Sequence, residues 1–198
     1  MIRVERLQGE ALARALPDVA RLRIEVFRDW PYLYDGDMAY EEAYLQVYRE
    51  AEDAVLVAAF DGDDLVGAST GAPMLDHAED FGAAFGANSG VGHPGLDQIF
   101  YCAESVLLPV YRGQGIGHRF FDVREAHGRA LGLRYAAFCA VMRPTGHPLQ
   151  PEDYRPLDAF WRKRGYAPLK GVAAQFSWKD LDEVEESQHL LQFWMRAL

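Results

Sequence analysis

Cysteine is scarce in this chain: of 198 residues only Cys102 and Cys139 carry a thiol. Two thiols make no disulfide framework, so an ordinary hydrophobic core must hold the fold, and a reducing cytoplasm is the expected setting. Long apolar runs are missing as well. None approaches the ~18 residues that a membrane helix needs, and Met1–Glu5 lacks the apolar stretch of a signal peptide, so no membrane partner is expected. Positive charge is in deficit, with 20 Lys+Arg against 30 Asp+Glu and a net charge of -10. An acidic surface repels phosphate backbones, which argues against general nucleic-acid binding. It tolerates a cationic small molecule or a basic peptide, although solubility alone explains the sign equally well. The six histidines show no metal-ligand spacing, and no metal is expected.

What is present suits one globular domain over residues 1–198. Nearly half the residues are hydrophobic, enough for a sizeable core. Residues 2–7 alternate as a strand. Val19, Leu22 and Val26 recur at helical spacing, with a start expected at Pro17-Asp18 and an end at Pro31. Tyr40, Tyr44 and Tyr48 mark a second helix. The apolar run 54–60, the Asp61-Gly62-Asp63-Asp64 turn and the run 65–68 make a hairpin. Residues 76–97, rich in Gly, Ala and Asn, read as a short helix and then an irregular loop. A strand at 99–108, a glycine turn, a helix ended by Gly132, and a strand at 135–141 come next. Residues 144–156 hold four of the ten prolines and must be a loop. A short helix at 157–163, a strand at 171–178 and a last strand at 190–195, for which a helix is the alternative, complete the chain. That order implies one mixed sheet with helices on both faces.

The segment with the strongest chemical signal is Arg112-Gly113-Gln114-Gly115-Ile116-Gly117. A strand that runs through glycines into a helix presents unsatisfied backbone N–H groups and the positive end of a helix dipole, and anions bind there. The glycines keep side chains off the backbone, and Arg112 adds a fixed positive charge. The spacing fails the dinucleotide fingerprint Gly-x-Gly-x-x-Gly, and the Gly-Lys-Ser/Thr of a P-loop is missing. By itself the turn could merely cap a helix.

The stretch from Val106 to Gly117 resembles motif A of the GNAT superfamily of acyl-CoA-dependent N-acyltransferases, Arg/Gln-x-x-Gly-x-Gly/Ala after an apolar strand and Pro. A second motif of that family is similar to Ala159-Phe160-Trp161-Arg162-Lys163-Arg164-Gly165-Tyr166. The insertion at 76–97 is outside the family pattern. The resemblance implies an α/β (α+β) fold in a single GNAT-like domain. Its sheet would be mixed, mostly antiparallel and seven-stranded, flanked by helices on both faces. It implies acetyl-CoA, or another acyl-CoA, as cosubstrate and a small-molecule or peptide amine as acceptor, and it is compatible with a homodimer. A non-catalytic acyl-CoA-binding sensor is the alternative.

Carried over residue by residue, the resemblance puts the pantetheine arm on the backbone of Ser105, Val106 and Leu107. It puts the pyrophosphate on Arg112, Gly113, Gln114, Gly115, Ile116, Gly117 and His118, with Trp161 packed on the cofactor arm. Glu104 interrupts the apolar strand just before the turn. Burial disfavours the carboxylate anion, which suits a general base acting directly or through water. A buried structural Glu, satisfied by hydrogen bonds or by an Arg partner, is the other reading. Many members of the family have a Tyr where this chain has Trp161, and an indole cannot serve as the acid. Tyr154, Tyr101 or water are the substitutes, or the thiolate leaves without help, and none is preferred. Tyr32 and Tyr34, beside Asp35 and Asp37, are the candidates for receiving a cationic amine.

Overall fold

Leu12, Leu16, Val19 and Leu22 are buried along one helical face, and α1 runs Gly9–Phe27. It begins eight residues before the start expected at Pro17, which lies inside the helix. Proline removes one ladder bond, but the apolar face continues on both sides of it, and that burial sustains the helix. α2 spans Met38–Glu50, and the Asp37 carboxylate caps it by accepting from the Tyr40 amide at 3.0 Å. The computed structural model describes residues 2–86 and 92–198.

Seven strands form one sheet in the order β1-β2-β3-β4-β5-β7-β6. They are β1 (Arg3–Leu7), β2 (Val55–Asp61), β3 (Asp64–Pro73), β4 (Ile99–Leu107), β5 (Tyr135–Val141), β6 (Ala167–Trp178) and β7 (Ser187–Ala197). Every neighbouring pair is antiparallel except β4 and β5. β6 starts at Ala167, earlier than expected, because the chain pairs with β7 before an irregularity between Pro168 and Ala173. The last apolar run is a strand, since it pairs on both sides, with β5 and with β6.

The central strands β2 and β3 are buried on both faces, which their runs of small and branched residues allow, while the edge strands β1 and β6 are partly exposed. Leu56 and Ala58 of β2 pack with Leu12, Val19, Leu45 and Tyr48 of α1 and α2. The alternate residues Val57 and Ala59 pack with Ile116 and Phe120 of α4 (Ile116–Ala130). α3 (Ala78–Gly86) comes after a 3-10 turn at Met74–His77, as expected for the front of the 76–97 segment. It docks Phe81 and Phe85 on Phe193 of β7. The irregular loop expected next falls partly outside the described residues. α5 is Asp158–Lys163. Among the described residues no helix is long and apolar enough to cross a membrane.

Two departures from regular pairing shape the middle of the sheet. β4 and β5 pair only between Ile99–Tyr101 and Tyr135–Ala137. Beyond that the strands part, and a fork lies between the rest of β4 and the rest of β5. In addition, Ser69 pairs with Ser105 but Gly71 with Cys102. Thr70 therefore faces both Ala103 and Glu104, as in a β-bulge.

Candidate cofactor and acceptor cleft

After β4 the chain makes a 3-10 turn at Pro109–Tyr111 and enters α4 through Gly113 and Gly115, whose φ angles are +78° and +79°. A side chain would strain both positions. A Cβ built on either would meet no atom within 4 Å, so the space over them is open. No side chain caps α4. Its first amide bond runs from Arg119 to the Gly115 carbonyl, so the amides of Ile116, Gly117 and His118 precede the ladder. Gly113 and Gly115 are exposed, and Gly117 is half-buried.

The fork and this turn belong to one cavity of about 1470 Å³. It is larger than the roughly 300–1,000 Å³ of a single small-molecule site. Arg112, Gly113, Gly115, Ile116, Gly117, His118, Ser105, Leu107, Trp161, Glu104, Tyr32 and Tyr34 all line it. Val106 and Gln114 do not. Val106 is buried against α1, and the Gln114 amide donates back to the Val110 carbonyl at 3.3 Å.

Glu104 is buried, its side chain only 2% exposed, and it is not an isolated carboxylate. Its Oε2 accepts from Arg23 Nη1 at 2.8 Å and its Oε1 accepts from the Thr70 hydroxyl at 2.7 Å. Arg23 also donates to Glu41, which is fully buried, and its guanidinium lies over the rings of Tyr44 (4.2 Å) and Phe27 (5.0 Å). Burial works against the charge of Arg23, but Glu104, then Tyr44 and Glu41, outweigh it and hold the guanidinium well above its ordinary value. Sequence reasoning misses Arg23. Its helical spacing marks it only as one position on α1, and no local pattern says that β4 lies opposite.

Tyr32 packs on Phe27 at a tilt, with ring centres 4.3 Å apart, and lies 5.9 Å from Trp178, whose indole donates to the Tyr32 carbonyl at 3.1 Å. Burial raises the hydroxyls of Tyr32 and Tyr34 above their ordinary range. Asp35 and Asp37, expected beside an incoming cation, are already engaged. Asp35 takes Lys179 at 2.7 Å, and Asp37 caps α2. Trp161 packs on Phe138 and Trp194 at 5.0 and 5.2 Å. Of the alternative acids, the Tyr101 hydroxyl is 3.3 Å from Cys139 Sγ, while Tyr154 lies edge-on to Trp30 at 5.9 Å. Burial pushes the Cys139 thiol up to about 12. Among the described residues no cluster suits a metal ion.

No family model matches the chain, and no curated protein matches it in sequence. Solved structures do match. Ribosomal-protein-alanine N-acetyltransferase from Brucella melitensis is 12% identical with a TM-score of 0.59, over 100% of this chain and 99% of that one. An N-acetyltransferase from Staphylococcus aureus Mu50 is 8% identical with a TM-score of 0.60, over 98% of each chain. An acetyltransferase of the GNAT family from Streptococcus pneumoniae is 9% identical with a TM-score of 0.58, over 100% of this chain and 99% of that one. At these identities the likeness is one of fold.

Proposed function

We propose that this chain, whose fold is that of the GNAT acetyltransferases, transfers an acetyl group from acetyl-CoA to a primary amine of a small molecule or peptide. The observation that carries the reading is the continuity of one cavity from the uncapped start of α4 to the fork beside Glu104. Free amides, open glycines and Arg112 fit a diphosphate. The fork offers Ser105 and Leu107 on one side and Cys139 on the other, which suits an extended arm.

In the reaction, the amine nitrogen attacks the thioester carbon. The C–N bond forms, the C–S bond breaks, and CoA leaves as the thiolate. Before attack the ammonium gives up a proton. Glu104 receives it through a water: two of its roughly four lone-pair sites are taken by Arg23 and Thr70, and the others remain. The nitrogen sheds its second proton to solvent as the tetrahedral adduct collapses, and the thiolate is protonated from solvent, since the Trp161 indole N–H is too weak an acid to supply it. Tyr32 and Tyr34 flank the amine, and their ring faces favour a cation.

Trp161 and the Arg23–Glu104 pair favour one other reading, a non-catalytic acyl-CoA sensor. Release of free CoA thiol across a panel of amines separates the two. Turnover on any amine supports the transferase. Tight acetyl-CoA binding with no thiol release on the whole panel sinks it in favour of the sensor.

A further inference from the structure

Arg124, on the third turn of α4, is completely buried, and among the described residues no carboxylate pairs with it. A buried guanidinium without a counter-charge is costly unless hydrogen bonds hold it. Here its hydrogen bonds go to uncharged oxygens, and its guanidinium lies 4.8 Å from the centre of the Phe121 ring. Nε donates to the Phe120 carbonyl at 3.3 Å, and Nη2 donates to the Ser105 hydroxyl at 2.9 Å. Nη1 donates to the carbonyls of Thr70 at 3.1 Å and Glu104 at 3.0 Å.

The last two partners are informative. Thr70 and Glu104 are among the residues that the β3–β4 register leaves without a partner, between Ser69↔Ser105 and Gly71↔Cys102. Arg124 thus supplies donors where the ladder fails. The irregularity also sets which way Glu104 points. Cys102 faces the α4 side of the sheet and Ala103 the α1 side. Strict alternation would send Glu104 back towards α4. Instead it meets Arg23 of α1, while Ser105 meets Arg124 of α4.

We infer that Arg124 is a positioning residue for the acyl transfer. It holds the extra residue of β4 in place, so that Glu104 and Ser105 stand on opposite faces at the root of the fork. This rests on the transferase reading above. The guanidinium is fully buried at the edge of the cavity and acts through its hydrogen bonds to β3 and β4.

The test is kinetic and structural. Arg124→Met should lower kcat about 100-fold and leave acetyl-CoA affinity within about threefold, because the phosphate turn lies two turns away at the start of α4 and keeps its own glycines and amides. Arg124→Lys, with an ammonium that donates three bonds, should lower kcat only about tenfold, and it stands in if the Met variant does not fold. Wild-type kcat in either variant overturns the inference. So does a matched loss of kcat and acetyl-CoA affinity, which would mark general damage. A crystal structure of Arg124→Met decides the point independently of turnover. Release of Glu104 from Arg23 is expected, and retention of both that contact and the Ser69–Ser105, Gly71–Cys102 register overturns it. Absence of turnover in the wild type would instead sink the transferase reading, leaving the crystal comparison to judge Arg124.

Discussion

Arg23 Nη1 and Glu104 Oε2 meet at 2.8 Å across 81 residues of sequence, joining α1 to the irregular stretch of β4 beneath the cleft. Glu41 completes the network, so two carboxylates share one buried guanidinium. Arg23→Met leaves both carboxylates without a counter-charge and should cost about 3–5 kcal/mol of stability. Urea midpoints would show it; a loss below about 1 kcal/mol would mean that the carboxylates find other partners. Glu104→Gln keeps the shape of the side chain and should cut kcat by about 10²–10⁴-fold while acetyl-CoA affinity stays close to wild type. A collapse of acetyl-CoA binding in that variant would assign Glu104 to the scaffold.

Gly115 precedes α4 at φ +79°. Gly115→Asp adds backbone strain of about 1–3 kcal/mol and puts a negative charge where the diphosphate is proposed to sit. At a hundredfold excess over Kd, acetyl-CoA should stabilise the wild type by about 2.7 kcal/mol, roughly 5–10 °C in a thermal melt. The Asp variant should show no shift with acetyl-CoA. A full shift would remove the turn from the binding site.

His127 offers a pH test. Its Nε2 lies 2.9 Å from the Asp53 carbonyl and its Nδ1 lies 2.9 Å from Arg6 Nη2, so Nε2–H donates and Nδ1 accepts. Burial lowers its pKa, the Asp53 carbonyl partly offsets that, and the Arg6 charge lowers it again. The unfolded imidazole, near about 6.5, takes up a proton first on acidification. Stability should therefore fall as pH drops from about 6.5 towards the lower folded value, and this contribution flattens below it. His127→Gln should show a smaller drop in urea midpoint between pH 7.5 and pH 5 than the wild type. An equal drop would place the acid sensitivity elsewhere.

Cys139 lines the fork, but burial holds its thiol near about 12, and burial raises Cys102 as well. At pH 8 iodoacetamide should alkylate Cys139 about three orders of magnitude more slowly than a free thiol, since the thiolate is the nucleophile. Mass spectrometry over a time course reads the rate. Alkylation at the free-thiol rate would show an exposed, activated cysteine.

Local chemistry is enough to read the glycine turn, the Asp61–Asp64 hairpin and the alternating runs of the strands, because φ preference, turn residues and side-chain period act over a few neighbours. It places the start of α1 too late, because burial on both sides of Pro17 outweighs proline's local penalty. Tertiary structure alone decided the fork between β4 and β5, the face of the sheet that Glu104 occupies, and the partners Arg23 and Arg124. An extra residue in one strand inverts the facing of the residues beyond it, and a guanidinium's partners depend on elements packed from opposite faces. Neither is encoded in spacing along one segment, so both emerge only when the sheet and helices close on each other.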